Sequence, residues 1–289
     1  MNYWEKANHS WTSDSKRLIH TPSSKTKELF FYIQEIGYFK AMKPYYTERE
    51  HLPSYLIKFT LNGQGLLNYA GQEYLIQRGD VFFIDCQKYQ HYQTISDEAW
   101  EMDWIHLYGA TAEALYQEFM KDNQPVFHTT MAPEENPIHH LIQKMIREQE
   151  QANARSDFNH SVAIHELLNE VIIQKYELDF TLEDIPKHVI QMKEYIDQQI
   201  HHSLSLDELE QKFLLNKYQL LKDFSKYVGI PPIDYLITQK ISYAKDLLRY
   251  TDLSIQQISL EIGIDNFAYF SRLFKNKTGM TATFYRKYG

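Results

Sequence analysis

A segment near the carboxyl end of the chain combines aromatic and basic side chains at helical spacing. Phe270 and Phe274 are four residues apart, which places them on one face of a helix. Arg272 falls on another face, where its planar guanidinium can donate two hydrogen bonds to O6 and N7 of guanine. Lys275 is suited to a phosphate as a point charge. The pattern predicts a helix that packs through its rings and binds nucleic acid through its basic groups.

A similar pattern occurs about fifty residues earlier. Ser205-Leu206 and Ser254-Ile255 each open a helix, 49 residues apart. The offset becomes 50 residues for the later pairs, which are Leu220 and Phe270, Lys222 and Arg272, Phe224 and Phe274, Gly229 and Gly279, and Tyr235 and Tyr285. One residue has therefore been added in the turn of the second copy. Each copy predicts a helix, a tight turn and a second helix.

Two copies are too few for a stacked array, which needs about three units to bury a continuous core. They indicate two helix-turn-helix units, each of which places its second helix in the major groove of DNA. The predicted DNA-binding residues are Asn216, Lys217, Tyr218 and Lys222 in the first unit and Asn266, Ala268, Tyr269, Arg272 and Lys275 in the second. The alternative is a helical interaction bundle whose basic residues are solvated surface.

A dense set of motif residues accompanies this repeat. They are Ala244 to Leu248, Thr251 to Ile255, Ile258, Gly263, Tyr269 to Lys275, Gly279, Thr281 and Tyr285-Arg286. They resemble the signature of the AraC/XylS family of bacterial transcription regulators, over roughly residues 188 to 289. Ile264, Ala282 and Lys222 stand where that family usually has Phe, Pro and Arg. The resemblance implies one long helix, Ile233 to Tyr250, that holds the two reading helices about 34 Å apart, one turn of DNA.

The charge distribution agrees with a DNA-binding carboxyl-terminal region. Residues 187–289 carry 14 basic and 11 acidic side chains, whereas residues 1–186 carry 16 basic and 27 acidic ones. The whole chain has a formal net charge of −8, which excludes general attraction to a polyanion. Binding to phosphate must therefore come from one local face.

The amino-terminal residues give no sign of export or of a membrane. Residues 1 to about 27 are polar, and no stretch approaches 18 continuous apolar residues. We therefore expect a cytoplasmic protein that does not bind a membrane. Cys86, the single cysteine, cannot form an intrachain disulfide, and we interpret it as a buried structural thiol.

Short aromatic and β-branched runs fill residues 30–106, with turn signals at Asn62-Gly63, Ala70-Gly71 and Arg78-Gly79-Asp80. The predicted strands are 55–61, 65–69, 73–76, 81–84 and 104–107. Several short strands at this spacing predict a sandwich or barrel. The residues Gly63-x-Gly65, Gly79-Asp80-Val81, His91-Tyr92 and Trp104-Ile105-His106 resemble the cupin-type sensor domain of sugar-responsive AraC family members, over about residues 20 to 110.

Many cupins are metal enzymes. The pattern of metal-ligating residues therefore decides whether this barrel could be one. A mononuclear site needs two His separated by one residue and a carboxylate on one strand, with another His on a later strand. Residues 65–69 contain no His, and His91 is an isolated match to the later one. We therefore predict no catalytic residues, no metal and no cofactor. A cupin isomerase or dioxygenase and a protein-only adaptor remain the alternatives.

A barrel that is not catalytic has an interior available for a ligand. Aromatic rings and hydrogen-bonding groups are the side chains that bind sugars. The resemblance implies effector contacts at Arg49, Gln90, Tyr92, Met102 and Trp104. The alternative is that Tyr92 and Trp104 only fill the barrel core. Arg49 discriminates best, because burying an Arg without a partner is costly.

Helices are predicted between the barrel and the DNA-binding region, from Ala110 to Lys121, from Asn136-Pro137 through Ile146, and from Phe158 to Tyr176. Their apolar stripes are wider than one small barrel face would cover, which favours a homodimer interface; packing on the barrel of the same chain is the alternative. The predicted fold is α+β and multidomain. It comprises a cupin-like β-barrel (jelly roll) at 1–110, a helical segment at 111–178, a linker at 179–187 and an all-α domain of two helix-turn-helix units at 188–289.

These patterns predict a sequence-specific DNA-binding transcription regulator. We expect a small effector, a carbohydrate, to bind in the barrel and change how the paired reading helices bind promoter DNA. The expected partners are double-stranded DNA, the effector and a second copy of the chain. If the protein is an activator, which family habit favours, RNA polymerase is a further partner.

Overall fold

The structure is a computed structural model that describes residues 2–109, 111–153 and 155–289. It contains two compact units, which divide between Asp179 and Phe180. The helices of 111–178 belong to the same unit as the barrel, and most of the predicted linker 179–187 belongs to the second unit. Ala110, where we predicted a helix to begin and the first domain to end, lies outside the described residues.

The described residues of the first unit form two antiparallel sheets, four α-helices and one 3₁₀-helix at Pro133–Glu135. Its strands are β1 Trp4–Asn8, β2 Lys16–Ile19, β3 Phe31–Ala41, β4 Tyr46–Glu50, β5 Tyr55–Asn62, β6 Gly65–Tyr69, β7 Gln72–Ile76, β8 Asp80–Asp85, β9 Gln90–Thr94, β10 Trp100–Gly109 and β11 Val126–His128. Its helices are α1 Ser24–Leu29, α2 Ala112–Phe119, α3 Pro137–Glu150 and α4 Ser156–Lys175. One sheet has the order β1-β4-β9-β6-β7 and the other β11-β8-β5-β10-β3-β2.

The five predicted strands are present as β5, β6, β7, β8 and β10, with ends that differ by up to four residues. Ala70 and Gly71 have φ angles of 51° and 77°, the left-handed pair that closes the hairpin between β6 and β7. The strands without a sequence signal include β4 and β9, whose inward residues are partly polar. A strand that lines a polar interior does not show apolar alternation.

The six-stranded sheet is covered on both faces. Along β5, Leu56 packs in the core between the two sheets, whereas Ile57 and Phe59 pack against the helices. Leu167 and Leu168 of α4 lie in that outer core. Most of the apolar stripe that suggested a dimer interface is therefore used within the chain, because the outer face of the sheet needs a cover.

The second unit is all helical. Its elements are α5 Lys187–Gln198, α6 Leu206–Phe213, α7 Lys217–Val228, α8 Pro232–Tyr250, α9 Ile255–Glu261, α10 Phe267–Thr278 and α11 Ala282–Tyr288. The pairs α6/α7 and α9/α10 are the two predicted helix-turn-helix units, and α8 is the predicted long helix between them. None of the described helices is long and apolar enough to cross a membrane.

Matching caps fix the ends of the repeated helices. Ser205 forms a capping box with Glu208 at the start of α6, and Ser254 forms one with Gln257 at the start of α9. The second helices α7 and α10 end at Gly229 and Gly279, with φ angles of 90° and 80° that favour glycine. These residues explain why the repeat is visible in the sequence.

The long helix α8 belongs to two hydrophobic cores. Tyr235 and Leu236 near its start pack with α5, α6 and α7, whereas Ile241, Ala244 and Leu248 pack with α9, α10 and α11. Each helix-turn-helix unit therefore has its own core, and α8 is their shared support.

Candidate effector pocket and DNA-binding surface

All nine predicted DNA-binding residues are exposed on or beside α7 and α10. Asn216 and Asn266 are the N-caps of these helices, and each side-chain oxygen accepts a backbone N–H at 2.9 Å, from Gln219 and Tyr269 respectively. Their first role is thus to begin the reading helix at a fixed residue. Their amide groups remain at the end of the helix that would enter a groove.

The α10 helix separates its packing and reading faces. Phe270 and Phe274 are fully buried, whereas Ala268, Arg272 and Lys275 are exposed. Among the described residues, Arg272 has no hydrogen-bond or ion-pair partner, so its guanidinium is available to an external acceptor. This is the geometry that bidentate contact with a base edge requires.

The α7 helix presents a different surface. Lys217 forms an ion pair with Asp207 of the preceding helix, and Tyr218 is 74 % exposed. Lys222, at the position equivalent to Arg272, is exposed but offers a compact ammonium instead of a planar fork. The two reading helices therefore have different capacity for base recognition.

A buried lysine joins the two helix-turn-helix units. The Nζ of Lys240 on α8 donates to the carbonyl oxygens of His202 at 2.8 Å, Ile262, and Gly263 at 3.4 Å. Gly263 has a φ of 64°, and a Cβ there would lie 2.4 Å from the carbonyl oxygen of His201. Burial lowers the pKa of Lys240 to about 8. Because these contacts link loops of both units, they hold the two reading helices in one arrangement.

The first unit contains a cavity of about 30 Å³ between its sheets. Its walls include Arg49, Tyr92 and Trp104 from the predicted effector set, with further residues that the sequence did not single out. Those further residues are Glu5, His9, Trp11, Arg17, Glu35, Phe39, Tyr45, Thr47, Lys58 and His106. This volume holds about two water molecules, so a larger ligand must displace lining side chains.

Arg49 lies at the centre of the polar wall. It is 7 % exposed, with Nη1 3.3 Å from Glu5 Oε2 and Nη2 donating to the Tyr92 hydroxyl. Its Nε is buried and has no hydrogen-bond partner in the part of the chain that the structure describes. The indole Nε1 of Trp104 is also buried and has no acceptor among the described residues. Two buried donors in one cavity call for acceptors from a ligand, since unpaired buried donors are costly.

Lys58 is the least expected residue of the cavity. It is 2 % exposed, its Nζ lies 3.2 Å from the Tyr45 hydroxyl, and the Tyr92 ring is 3.8 Å away. A desolvated cation over a ring gains about 2 kcal/mol, whereas burying an ammonium costs several kcal/mol. Burial and the charge of Arg49 hold the pKa of Lys58 well below its usual range. In the sequence, Lys58 could have been noticed as the one lysine within a largely apolar strand, β5, which is buried on both faces.

Gln90 and Met102 are buried but lie behind the cavity wall. The Gln90 amide donates to the carbonyl oxygen of Cys86 at 3.3 Å, and the Met102 sulfur lies 3.4 Å from Lys58 Nζ. Burial raises the pKa of the Cys86 thiol to about 12, which fits an unreactive structural residue. Burial also holds the pKa of His106 well below its usual range, so this imidazole is neutral.

A larger groove of about 660 Å³ lies on the outside of the barrel, but its charged groups already have partners within the protein. Arg78 bonds to Glu134 at 2.8 Å, and His139 contacts the buried Asp103 at 2.5 Å. The walls of this groove therefore need a ligand less than the interior cavity does, because their charged groups are already paired. No group of three or more His, Cys, Asp or Glu residues within the described part of the chain could hold a metal ion.

Two domain families match the chain. The AraC-like ligand binding domain matches residues 33–168, which include the cavity. The helix-turn-helix domain matches residues 209–288, which include both reading helices.

Curated relatives resemble the chain over most of its length. The MmsAB operon regulatory protein of Pseudomonas aeruginosa is 24 % identical, covering 89 % of this chain and 82 % of the relative. The arabinose operon regulatory protein of Escherichia coli is 24 % identical over 81 % of both chains. The lactose operon transcription activator of Staphylococcus xylosus is 20 % identical over 80 % of this chain and 83 % of the relative.

The domains and relatives are those of transcription regulators and not of enzymes. The two predicted resemblances are confirmed, in the predicted order along the chain. The chain therefore has the domain order of an AraC-type DNA-binding transcription regulator, an AraC-like ligand-binding domain ahead of a helix-turn-helix domain.

Proposed function

We propose that this regulator senses a carbohydrate in the barrel cavity and changes its binding to promoter DNA in response. The observation that carries the proposal is the cavity itself, where Arg49 Nε and Trp104 Nε1 are buried donors without acceptors. Aromatic rings of Tyr92, Trp104 and Tyr45 line the same space. Rings for the apolar face of a sugar and donors for its hydroxyls are the groups that such a ligand needs.

The names of two relatives support the same ligand class, because they refer to arabinose and lactose operons. One of them is called a transcription activator. We infer that this protein also activates transcription in the cytoplasm, through contact with RNA polymerase. DNA contacts would come from the nine exposed residues on and beside α7 and α10, with Arg272 as the main base reader.

The effector site is tested by thermal unfolding of the full chain with a panel of monosaccharides and oligosaccharides. A ligand at 100 times its Kd adds about 2.7 kcal/mol to the free energy of unfolding, a shift of several degrees in Tm. Arg49→Ala should abolish that shift. Arg155→Ala, an exposed change outside the cavity, should retain it. If no sugar shifts the Tm, or if Arg49→Ala leaves the shift intact, the carbohydrate proposal is wrong.

We also propose a homodimer that uses the exposed part of α4. Phe158 and Val162 lie four residues apart and are 54 % and 60 % exposed. A second copy is the occupant we infer, because two-fold partners would bring two pairs of reading helices to a repeated operator. Light scattering should give the mass of a dimer, and Val162→Glu should give that of a monomer. A monomeric unaltered chain would contradict this proposal.

A further inference from the structure

We propose that the effector carries an anionic group, a carboxylate or a phosphate, that binds beside Lys58. This inference rests on the proposed effector site and narrows its ligand to an acidic sugar or a sugar phosphate. Its basis is a basic group without an acidic partner and a surplus of hydrogen-bond donors in the cavity.

The charges of the cavity do not balance within the protein. Arg17 pairs with Glu35 at 2.9 Å, and Arg49 pairs with Glu5 at 3.3 Å. Lys58 has no carboxylate partner among the described residues, although its Nζ is buried in the same space. An anion in the cavity would supply the missing opposite charge, and a buried ammonium without one is strongly disfavoured.

The hydrogen bonds show the same imbalance. Within the described residues, the Nζ of Lys58 has only the Tyr45 hydroxyl at 3.2 Å and the Met102 sulfur at 3.4 Å as acceptors, and sulfur is a weak acceptor. Arg49 Nε and Trp104 Nε1 have no acceptor among the residues described. Three residues in one wall therefore present donors together. A carboxylate or phosphate accepts several hydrogen bonds at once and donates none when fully ionised, which fits such a wall.

The aromatic rings of the cavity argue for a sugar bearing that anion. The ring of Tyr92 lies 3.8 Å from Lys58 Nζ, and the ring of Tyr45 lies 5.4 Å from it. Trp104 contributes a further ring to the same cavity. A ligand with a flat apolar face and one anionic end would contact both the rings and the donors.

The test is isothermal titration calorimetry on the full chain with matched ligands. The ligands are D-galactose with D-galacturonate and D-galactose 6-phosphate, the corresponding D-glucose series, and benzoate as a carboxylate that is not a sugar. At least one acidic sugar should bind ten times more tightly than its neutral match. Lys58→Met should reduce that preference to less than threefold, whereas Lys88→Met, at an exposed turn, should keep it. Lys58→Gln provides a second variant if Lys58→Met does not fold.

The outcomes separate this inference from the proposed function. Tighter binding of a neutral sugar than of its acids overturns the inference and leaves the carbohydrate proposal intact. Binding of benzoate that requires Lys58, with no binding of any sugar, supports the anion site and overturns the carbohydrate proposal. No binding by any ligand of the panel counts against both. A preference for the acid that survives both Lys58 variants overturns the role of Lys58.

Discussion

Two buried lysines show how the two units of the molecule differ. Lys58 in the barrel and Lys240 in the helical unit are 2 % and 4 % exposed. Lys240 donates to three backbone carbonyl oxygens, whereas Lys58 has a hydroxyl, a thioether and aromatic rings. The first is satisfied by its own fold, and the second is not.

The difference teaches where each unit interacts with its partners. In the helical unit, buried groups are paired and the candidate reading residues are on the surface, so its interior serves only to hold α7 and α10 in place. In the barrel, unpaired donors lie inside, so the interior is itself the candidate site. Buried polar groups without partners therefore indicate a ligand only where a cavity adjoins them.

The largest effect is expected from Lys240→Met. This change leaves carbonyl oxygens of His202, Ile262 and Gly263 without their donor, and each unsatisfied buried group costs about 1 to 3 kcal/mol. We expect the free energy of unfolding of the helical unit to fall by about 2 to 4 kcal/mol. Urea unfolding followed by circular dichroism measures this loss. Lys245→Met on the same helix, where the lysine is only partly buried and donates to no backbone carbonyl in the described part of the chain, should change stability little. If Lys240→Met leaves stability unchanged, Lys240 does not join the two helix-turn-helix units.

The next effect concerns base recognition by α10. Arg272→Ala should cost about 1 to 3 kcal/mol on operator DNA and much less on scrambled DNA, because a bidentate contact distinguishes bases. Fluorescence anisotropy with both duplexes gives the two affinities. Lys275→Ala is the matched control, and should weaken both duplexes nearly equally while reducing the salt slope by about 1. Equal losses on both duplexes for Arg272→Ala would contradict base reading.

A smaller effect of opposite sign is expected from Lys58→Met in the ligand-free protein. Replacing a buried cation by an apolar side chain of similar length removes a desolvation cost, so stability should rise by about 1 to 2 kcal/mol. Thermal unfolding measures the rise in Tm. A large fall in Tm would mean that Lys58, like Lys240, is a structural residue, and the contrast between the two units would not hold.

Parts of this contrast were predictable from the sequence. The Ser caps, the terminal glycines and the paired phenylalanines of the helical unit act locally, so the sequence predicts α6 to α10 and the exposed Arg272. The turn at Ala70-Gly71 and the five aromatic strands are also local features. The role of α4 was less predictable, because an apolar stripe does not tell whether a sheet of the same chain or a second copy covers it.

The polar interior was the least predictable part. Arg49, Tyr92 and Trp104 follow from family resemblance, but Lys58 stands in a strand run that is otherwise read as core. Glu5 and His9 come from a polar amino-terminal segment with no strand pattern. These residues meet only because β1, β4, β5, β9 and β10 line one cavity, and strand pairing over such distances leaves no local signal.

The central claim is that a ligand in the barrel changes DNA binding by the helical unit. It is tested by titrating operator DNA into the full chain with and without a saturating sugar of the panel. The account predicts a change in DNA affinity of about 5- to 150-fold, the usual range of coupling between two sites, and no change for Arg49→Ala. Equal DNA affinity with and without a sugar that is shown to bind would contradict it.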